Sequence, residues 1–194
     1  MTRTSNQHRK TAETEVSIQL NLDGDGRSDV STGVGFYDHL ISSLAYHGMF
    51  NLSIDTAGDL HIDEHHTVED TALVLGAAIG EALGDRCGIN RFGEATIPMD
   101  EALAKVSLDA GGRPYAAIDI AFQGERIGIL STQMIPHALE SLAKNAGVTI
   151  HISATGKNDH HIAEAVFKAV GRALRSAVAI DSQRSGIPST KGAI

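Results

Sequence analysis

Two short runs in this chain have the residue types and spacing to hold metal ions. His65-His66-Thr67-Val68-Glu69 and His160-His161-Ile162-Ala163-Glu164 share the pattern His-His-x-x-Glu, ninety-five positions apart. Helical residues four apart lie on one face with Cβ atoms about 5–6 Å apart, so His65 and Glu69 can reach one ion, as can His160 and Glu164. The second His of each pair is turned by about 100° and must serve elsewhere. Upstream, the segments His39 to Ala45 and His137 to Ala143 both read His-x-x-x-Ser-Leu-Ala. Six histidines and two glutamates therefore repeat in register.

Exchange between two halves related by a pseudo-twofold axis would give one ion His39, His65, Glu69 and His161. The other ion would take His137, His160, Glu164 and His66. Three imidazoles and one carboxylate suit Mn²⁺, Fe²⁺, Co²⁺ or Zn²⁺ and leave positions open for water or substrate. Ca²⁺ and Mg²⁺ prefer all-oxygen shells. A lone histidine is more often a hydrogen-bonded core residue than a ligand, so the repetition in register is what points to metal. His8, His47, His61 and His151 have no partner in the other copy and read as surface or supporting residues.

These side chains need elements to hold them. Thr14 to Leu22 alternates as a half-buried strand, with Val16, Ile18, Leu20 and Leu22 apolar. Asp23-Gly24-Asp25-Gly26 reads as a hairpin turn into a second strand through Val30. A helix is predicted from Phe36 to His47, a strand from Phe50 to Asp55, and a long helix from Glu64 to Leu83. After Gly84 to Arg91 the pattern restarts, with three strands of a meander (Glu94 to Met99, Ala102 to Leu108, Tyr115 to Phe122). A helix near Thr132 to Asn145, a strand from Val148 to Ala154 and a helix from His160 to Ile180 complete it. Met1 to Lys10 and Ser182 to Ile194 read as unstructured in isolation. The chain is thus one catalytic domain of two repeats, about residues 12–88 and 92–181, with a tail over 182–194. The second repeat carries one extra strand. Two sheets with the four helices between them, or packed on one side, an α+β sandwich, is the expected fold.

Composition narrows the function. A net charge of −8 argues against a nucleic-acid surface, which needs clustered Lys and Arg. A single cysteine, Cys87, rules out an intrachain disulfide framework and suits the cytoplasm. No apolar run approaches the length of a membrane span, and the first residues lack a signal-peptide core.

Further motifs carry a resemblance. Gly35-Phe36-Tyr37-Asp38-His39-Leu40, His65 to Asp70, Arg91-Phe92-Gly93 and Pro98-Met99-Asp100-Glu101 resemble imidazoleglycerol-phosphate dehydratases. So do Gly112-Arg113-Pro114, Asp159 to Ala165 and Pro188-Ser189-Thr190-Lys191-Gly192, so that the likeness runs from about Arg9 to the C-terminus. The resemblance implies a hydro-lyase that converts D-erythro-imidazoleglycerol phosphate to imidazoleacetol phosphate, the sixth step of histidine biosynthesis. It also implies two Mn²⁺ ions per site, a homo-oligomeric 24-subunit shell built from trimers, and a duplicated fold of the ribosomal protein S5 domain 2-like type. By matching position it assigns Glu13 to the substrate hydroxyls, and Arg91, Arg113, Lys168, Ser189 and Lys191 to the phosphate. Many members carry Asp-Gln where this chain has Ser42-Ser43, so a phosphate contact from that Gln is missing here.

The implied chemistry is consistent with the ligands. An imidazole ring spanning two metal ions would lose its N–H proton readily, and the resulting imidazolate could help expel hydroxide from the adjacent carbon. Glu13 or Glu164 would supply the acid or base. Two other readings compete with this one. A dinuclear phosphoesterase would be richer in Asp, and a metal-storage shell would leave the Arg and Lys set without a task.

Overall fold

The computed structural model describes residues 3–193. The first half runs β1 (Thr4–Lys10), β2 (Thr14–Asn21), β3 (Ser28–Ser31), α1 (Gly35–Gly48), β4 (Asn51–Gly58) and α2 (His65–Leu83). The second runs β5 (Phe92–Met99), β6 (Ala102–Asp109), β7 (Tyr115–Ile120), a small β8–β9 hairpin (Arg126–Ile127 and Leu130–Ser131), α3 (Met134–Ala146), β10 (Thr149–Thr155) and α4 (Asp159–Val178).

Each half builds one four-stranded sheet, in the orders β1-β2-β4-β3 and β5-β6-β10-β7. The pairings are antiparallel except for the last in each sheet, β3 with β4 and β7 with β10, which are parallel. The two halves therefore share one topology, and the expectation of an extra strand in the second half is corrected. The missing counterpart is β1, within the stretch read as unstructured; Met1 and Thr2 lie outside the described residues. Most of β1 is polar and exposed, as suits an edge strand, and its inward Ser5 and Gln7 bond to Glu81 of α2 rather than pack as hydrophobes. Apolar alternation, the signal used to find strands, is absent there.

Two turns also behave differently from expectation. Asp23 to Gly26 does not close a hairpin, because β3 crosses to pair in parallel with β4. Likewise β7 leaves the meander to pair with β10. Both crossovers are long-range choices that local turn chemistry does not encode.

Alternating residues of β2, β4, β6 and β10 point inward (Val16, Ile18 and Leu20; Ala104, Val106 and Leu108), and the helices cover that face. Helices of one half pack on helices of the other, α1 on α4 and α2 on α3. Gly76 and Gly171, each eleven residues after the first His of its pair, lie at these crossings. A Cβ on Gly76 would stand 2.5 Å from the Leu142 carbonyl oxygen of α3, and one on Gly171 would stand 2.3 Å from that of Leu44 in α1. Only a residue without a side chain lets the paired backbones approach so closely. This choice of helix partners decides which histidines meet.

Candidate active site

Both tandem histidine pairs open a helix, and both starts are fixed in the same way. Asp63 Oδ1 accepts the N–H of His65 at 2.8 Å, and Asn158 Oδ1 accepts that of His160 at 3.0 Å. A short polar side chain two residues ahead satisfies a helix N–H that would otherwise lack a partner. The first His of each pair then shares a face with the Glu one turn on, as its spacing predicts.

The structure brings the ligand types together in two clusters. His39, His160 and Glu164 form one; His65, Glu69 and His137 form the other, the candidate ligand atoms within each lying within 4.8 Å of one another. In the first, Nε2 of His39 and Nε2 of His160 each lie 3.2 Å from Glu164 Oε2. In the second, His65 Nε2 is 3.4 Å from Glu69 Oε2 and His137 Nε2 is 3.3 Å from Glu69 Oε1. The partition expected from the sequence is therefore corrected. His39 of α1 joins α4, not α2, and His137 of α3 joins α2, not α4, because those are the helices that pack together.

Nor do His66 and His161 enter either cluster within one chain. His66 Nδ1 lies 3.0 Å from Asp59 Oδ2 and 3.8 Å from Glu13 Oε2. His161 Nδ1 lies 3.0 Å from Glu101 Oε2 and 3.9 Å from Asp100 Oδ2. Hydrogen bonding to Asp59 raises the His66 pKa, and the bond to Glu101 raises that of His161. In return, the His161 bond, joined by backbone N–H donors, holds the Glu101 carboxyl at about 2.

The donor set fits a transition-metal ion. Buried His137 Nε2 has no hydrogen-bond partner among the described residues, although it faces a carboxylate. A buried ring nitrogen in that state is costly unless an electrophile occupies the space in front of it. Burial pushes the Glu164 carboxyl up, but Lys168 Nζ at 2.8 Å from Oε1 and the His39 contact outweigh this and hold it at about 2. Glu164 is thus ionised, as a metal ligand must be.

A basic basin of about 260 Å³ is lined by Arg91, Gly111, Arg113, Ser189, Thr190, Lys191 and Ala193. The tail read as unstructured contributes four of these residues. Arg91 is fixed by a two-point contact to Asp109 (Nε to Oδ1 2.7 Å, Nη2 to Oδ2 3.0 Å), and its Nη1 donates to the Pro188 carbonyl at 2.9 Å. Arg91 has φ +74°, uncommon for a residue with a side chain. These contacts leave two of its five donors for an anion. Lys168 is not in the basin; it sits on Glu164 and 3.7 Å from Met99 Sδ. Ser42 and Ser43 are half-buried on α1 and do not line it either.

Glu13 projects from the β1–β2 turn, which Asp70 anchors by accepting from Thr14 Oγ1 and pairing with Arg9. Asp59, Glu101 and Asp109 received no role from the sequence. Glu101 had one usable signal: it stands in the β5–β6 turn, the counterpart of the turn carrying Glu13. Seeing that equivalence requires β1.

A duplicated α+β fold with paired His-His-Glu clusters and a basic basin defines a class of metalloenzymes acting on a small anionic substrate. A model of the family described as imidazoleglycerol-phosphate dehydratase matches residues 32–174. The imidazoleglycerol-phosphate dehydratase of Methanosarcina mazei is 53% identical over 186 residues, covering 96% of each chain. That of Zymomonas mobilis is 52% identical over 196 residues, covering both chains fully. The crystal structure of the Staphylococcus aureus enzyme superposes with a TM-score of 0.83 at 33% identity, covering 92% of this chain and 99% of that one. The Pyrococcus furiosus structure gives 0.82 at 32%, covering 97% and 100%. The chain belongs to the imidazoleglycerol-phosphate dehydratase family.

Proposed function

We propose that this chain dehydrates D-erythro-imidazoleglycerol phosphate to imidazoleacetol phosphate in histidine biosynthesis, at a site holding two Mn²⁺ ions. Family membership supports the reaction, and the pair of His-His-Glu clusters is the observation that carries the metal reading. His39, His160 and Glu164 would hold one ion; His65, Glu69 and His137 would hold the other. Divalent ions in such a site supply the positive charge that stabilises a deprotonated azole.

The chain's own groups divide the remaining work. Glu164 has both oxygens engaged, one by Lys168 and one by two histidines, so it stays a ligand and is a poor proton carrier. Glu13 is held in a turn with no Lys or Arg on its carboxylate and with His66 Nδ1 at 3.8 Å, which leaves it able to face the substrate hydroxyls and take the carbon-bound proton. Arg91 and Arg113 would grip the phosphate, with Ser189 and Lys191 closing over it from the tail, and Lys168, which sits on the ligand Glu164, would reach it from the metal side.

His66 and His161 would complete the metal shells of neighbouring copies, which makes the enzyme a homo-oligomer, read as a 24-subunit shell of trimers; its single cysteine suits the cytoplasm. No helix among the described residues is long and apolar enough to cross a membrane. Incubation of Mn²⁺-loaded protein with the substrate should yield the ketone phosphate, and chelation should stop turnover and break the shell into trimers. Turnover and assembly that survive exhaustive metal removal would overturn the metal reading.

A further inference from the structure

The second histidine of each pair turns Nδ1 to a carboxylate, but the two halves take that carboxylate from different places. His161 uses Glu101 of the β5–β6 turn, at 3.0 Å. The equivalent turn in the first half, β1–β2, carries Glu13. That carboxylate stands 3.8 Å from His66 Nδ1, beyond hydrogen-bond range. The bond at 3.0 Å comes instead from Asp59, in the segment between β4 and α2. The Asp59 side chain is only 12% exposed, so it is well placed to hold one orientation.

We propose that Asp59 and Glu101 are positioning residues that fix His66 and His161 as Nδ1–H tautomers and aim Nε2 outward to a metal ion. By taking over His66, Asp59 also releases Glu13 for the substrate. This rests on the reading of His66 and His161 as ligands. A ligating imidazole must offer a lone pair, and which nitrogen offers it is set by what the other one donates to. Carboxylates behind metal-bound histidines typically contribute ten- to a hundredfold in metal affinity.

The two carboxylates are also held differently. Glu101 Oε1 accepts the backbone N–H of Lys157 at 3.1 Å and that of Asn158 at 2.8 Å, so this turn is tied to the start of α4. Glu13 accepts nothing comparable; its backbone N–H leans on Thr11 Oγ1. Of the two glutamates at the equivalent turns, Glu101 is tied down and Glu13 is not.

Glu101→Gln tests this sharply. Its amide oxygen can keep both backbone bonds, which puts the NH₂ group against His161 Nδ1 and forces the Nε2–H tautomer. Two-bond ¹H–¹⁵N spectra of the metal-free protein should show Nδ1–H at His66 and His161, with His161 alone switching in Glu101→Gln and His66 alone becoming a mixture of tautomers in Asp59→Ala, which removes the only acceptor bonded to its Nδ1. Calorimetric titration with Mn²⁺ alone should show one ion weakened by about ten- to a hundredfold in each variant, and a different ion in each. Glu13→Gln should bind both ions normally. Wild-type Mn²⁺ affinity in both Glu101→Gln and Asp59→Ala would overturn the proposal. His161→Ala separates the two readings. If it loses an ion while Glu101→Gln loses none, only the positioning role falls; if it loses none, the ligand reading falls as well. Should Glu101→Gln unfold the start of α4, Asp59→Ala carries the test alone.

Discussion

The two clusters repeat each other's ligands, but not their surroundings. Glu164 is 11% exposed and has Lys168 one turn along α4, whereas Glu69 is 32% exposed and has Leu73 in that position on α2. Phe36 lies over both His160 and His39, at 4.8 and 6.0 Å between ring centroids, and the residue in its place before His137 is the buried Met134. The second half and the residues flanking it also supply Arg91, Arg113 and the tail, while the first supplies Glu13, whose carboxylate meets no Lys or Arg. Under the proposed function, duplication kept what each ion needs and let the halves specialise for opposite ends of the substrate, with cations in one and a proton carrier in the other.

The largest effect should come from the ligand carboxylates themselves. Glu164→Gln and Glu69→Gln should each lose one Mn²⁺ per chain and reduce kcat to background. Metal content and turnover measured on the same preparations check this, and retention of both ions in either variant would break the equivalence of the clusters.

Next in size is the cation that only one cluster has. Lys168→Ala should keep both ions yet raise KM about ten- to a hundredfold, the loss of one charge-assisted contact worth roughly 1.5–3 kcal/mol. Leu73→Ala, at the matching position of α2, should leave KM at the wild-type value. If Lys168→Ala instead loses an ion with KM unchanged, Lys168 serves Glu164 alone.

The helix crossings should respond alike, since both halves depend on them. Gly76→Ala and Gly171→Ala each drive a methyl group into a carbonyl oxygen of the partner helix. Each should cost about 1–3 kcal/mol in urea denaturation. A neutral result at one site would show that crossing to be loosely packed.

The smallest effect is on acid stability. In the metal-free chain Glu164 sits at about 2 against an ordinary 4.5. A carboxyl depressed on folding stabilises the native state above its unfolded pKa. That contribution therefore falls away between about pH 4.5 and pH 2. Glu164→Gln should flatten the stability profile across that window, and an unchanged slope would mean that other carboxylates control it.

Much of this site was legible without coordinates, for reasons that can be stated. Histidine and glutamate four apart share a helix face wherever the helix lies, so the pairs His65–Glu69 and His160–Glu164 follow from periodicity alone. The repeat exposed the duplication. The topology was less legible. β1 is too polar to reveal itself, and the parallel pairings of β3 and β7 depend on contacts with strands far along the chain.

The chain by itself determined the ligand types, the helices that carry them, and two of the three members of each cluster, because those relations are local. Only the tertiary structure decided that His39 belongs with Glu164 and His137 with Glu69. The offset of the histidines on α1 and α3 is the same whichever helix they meet; close packing of α1 on α4 and of α2 on α3 makes the choice. It likewise decided that Asp59, Glu101 and Asp109 stand behind His66, His161 and Arg91. A carboxylate's role depends on the cation or N–H that folding places beside it, and sequence separation does not record that distance.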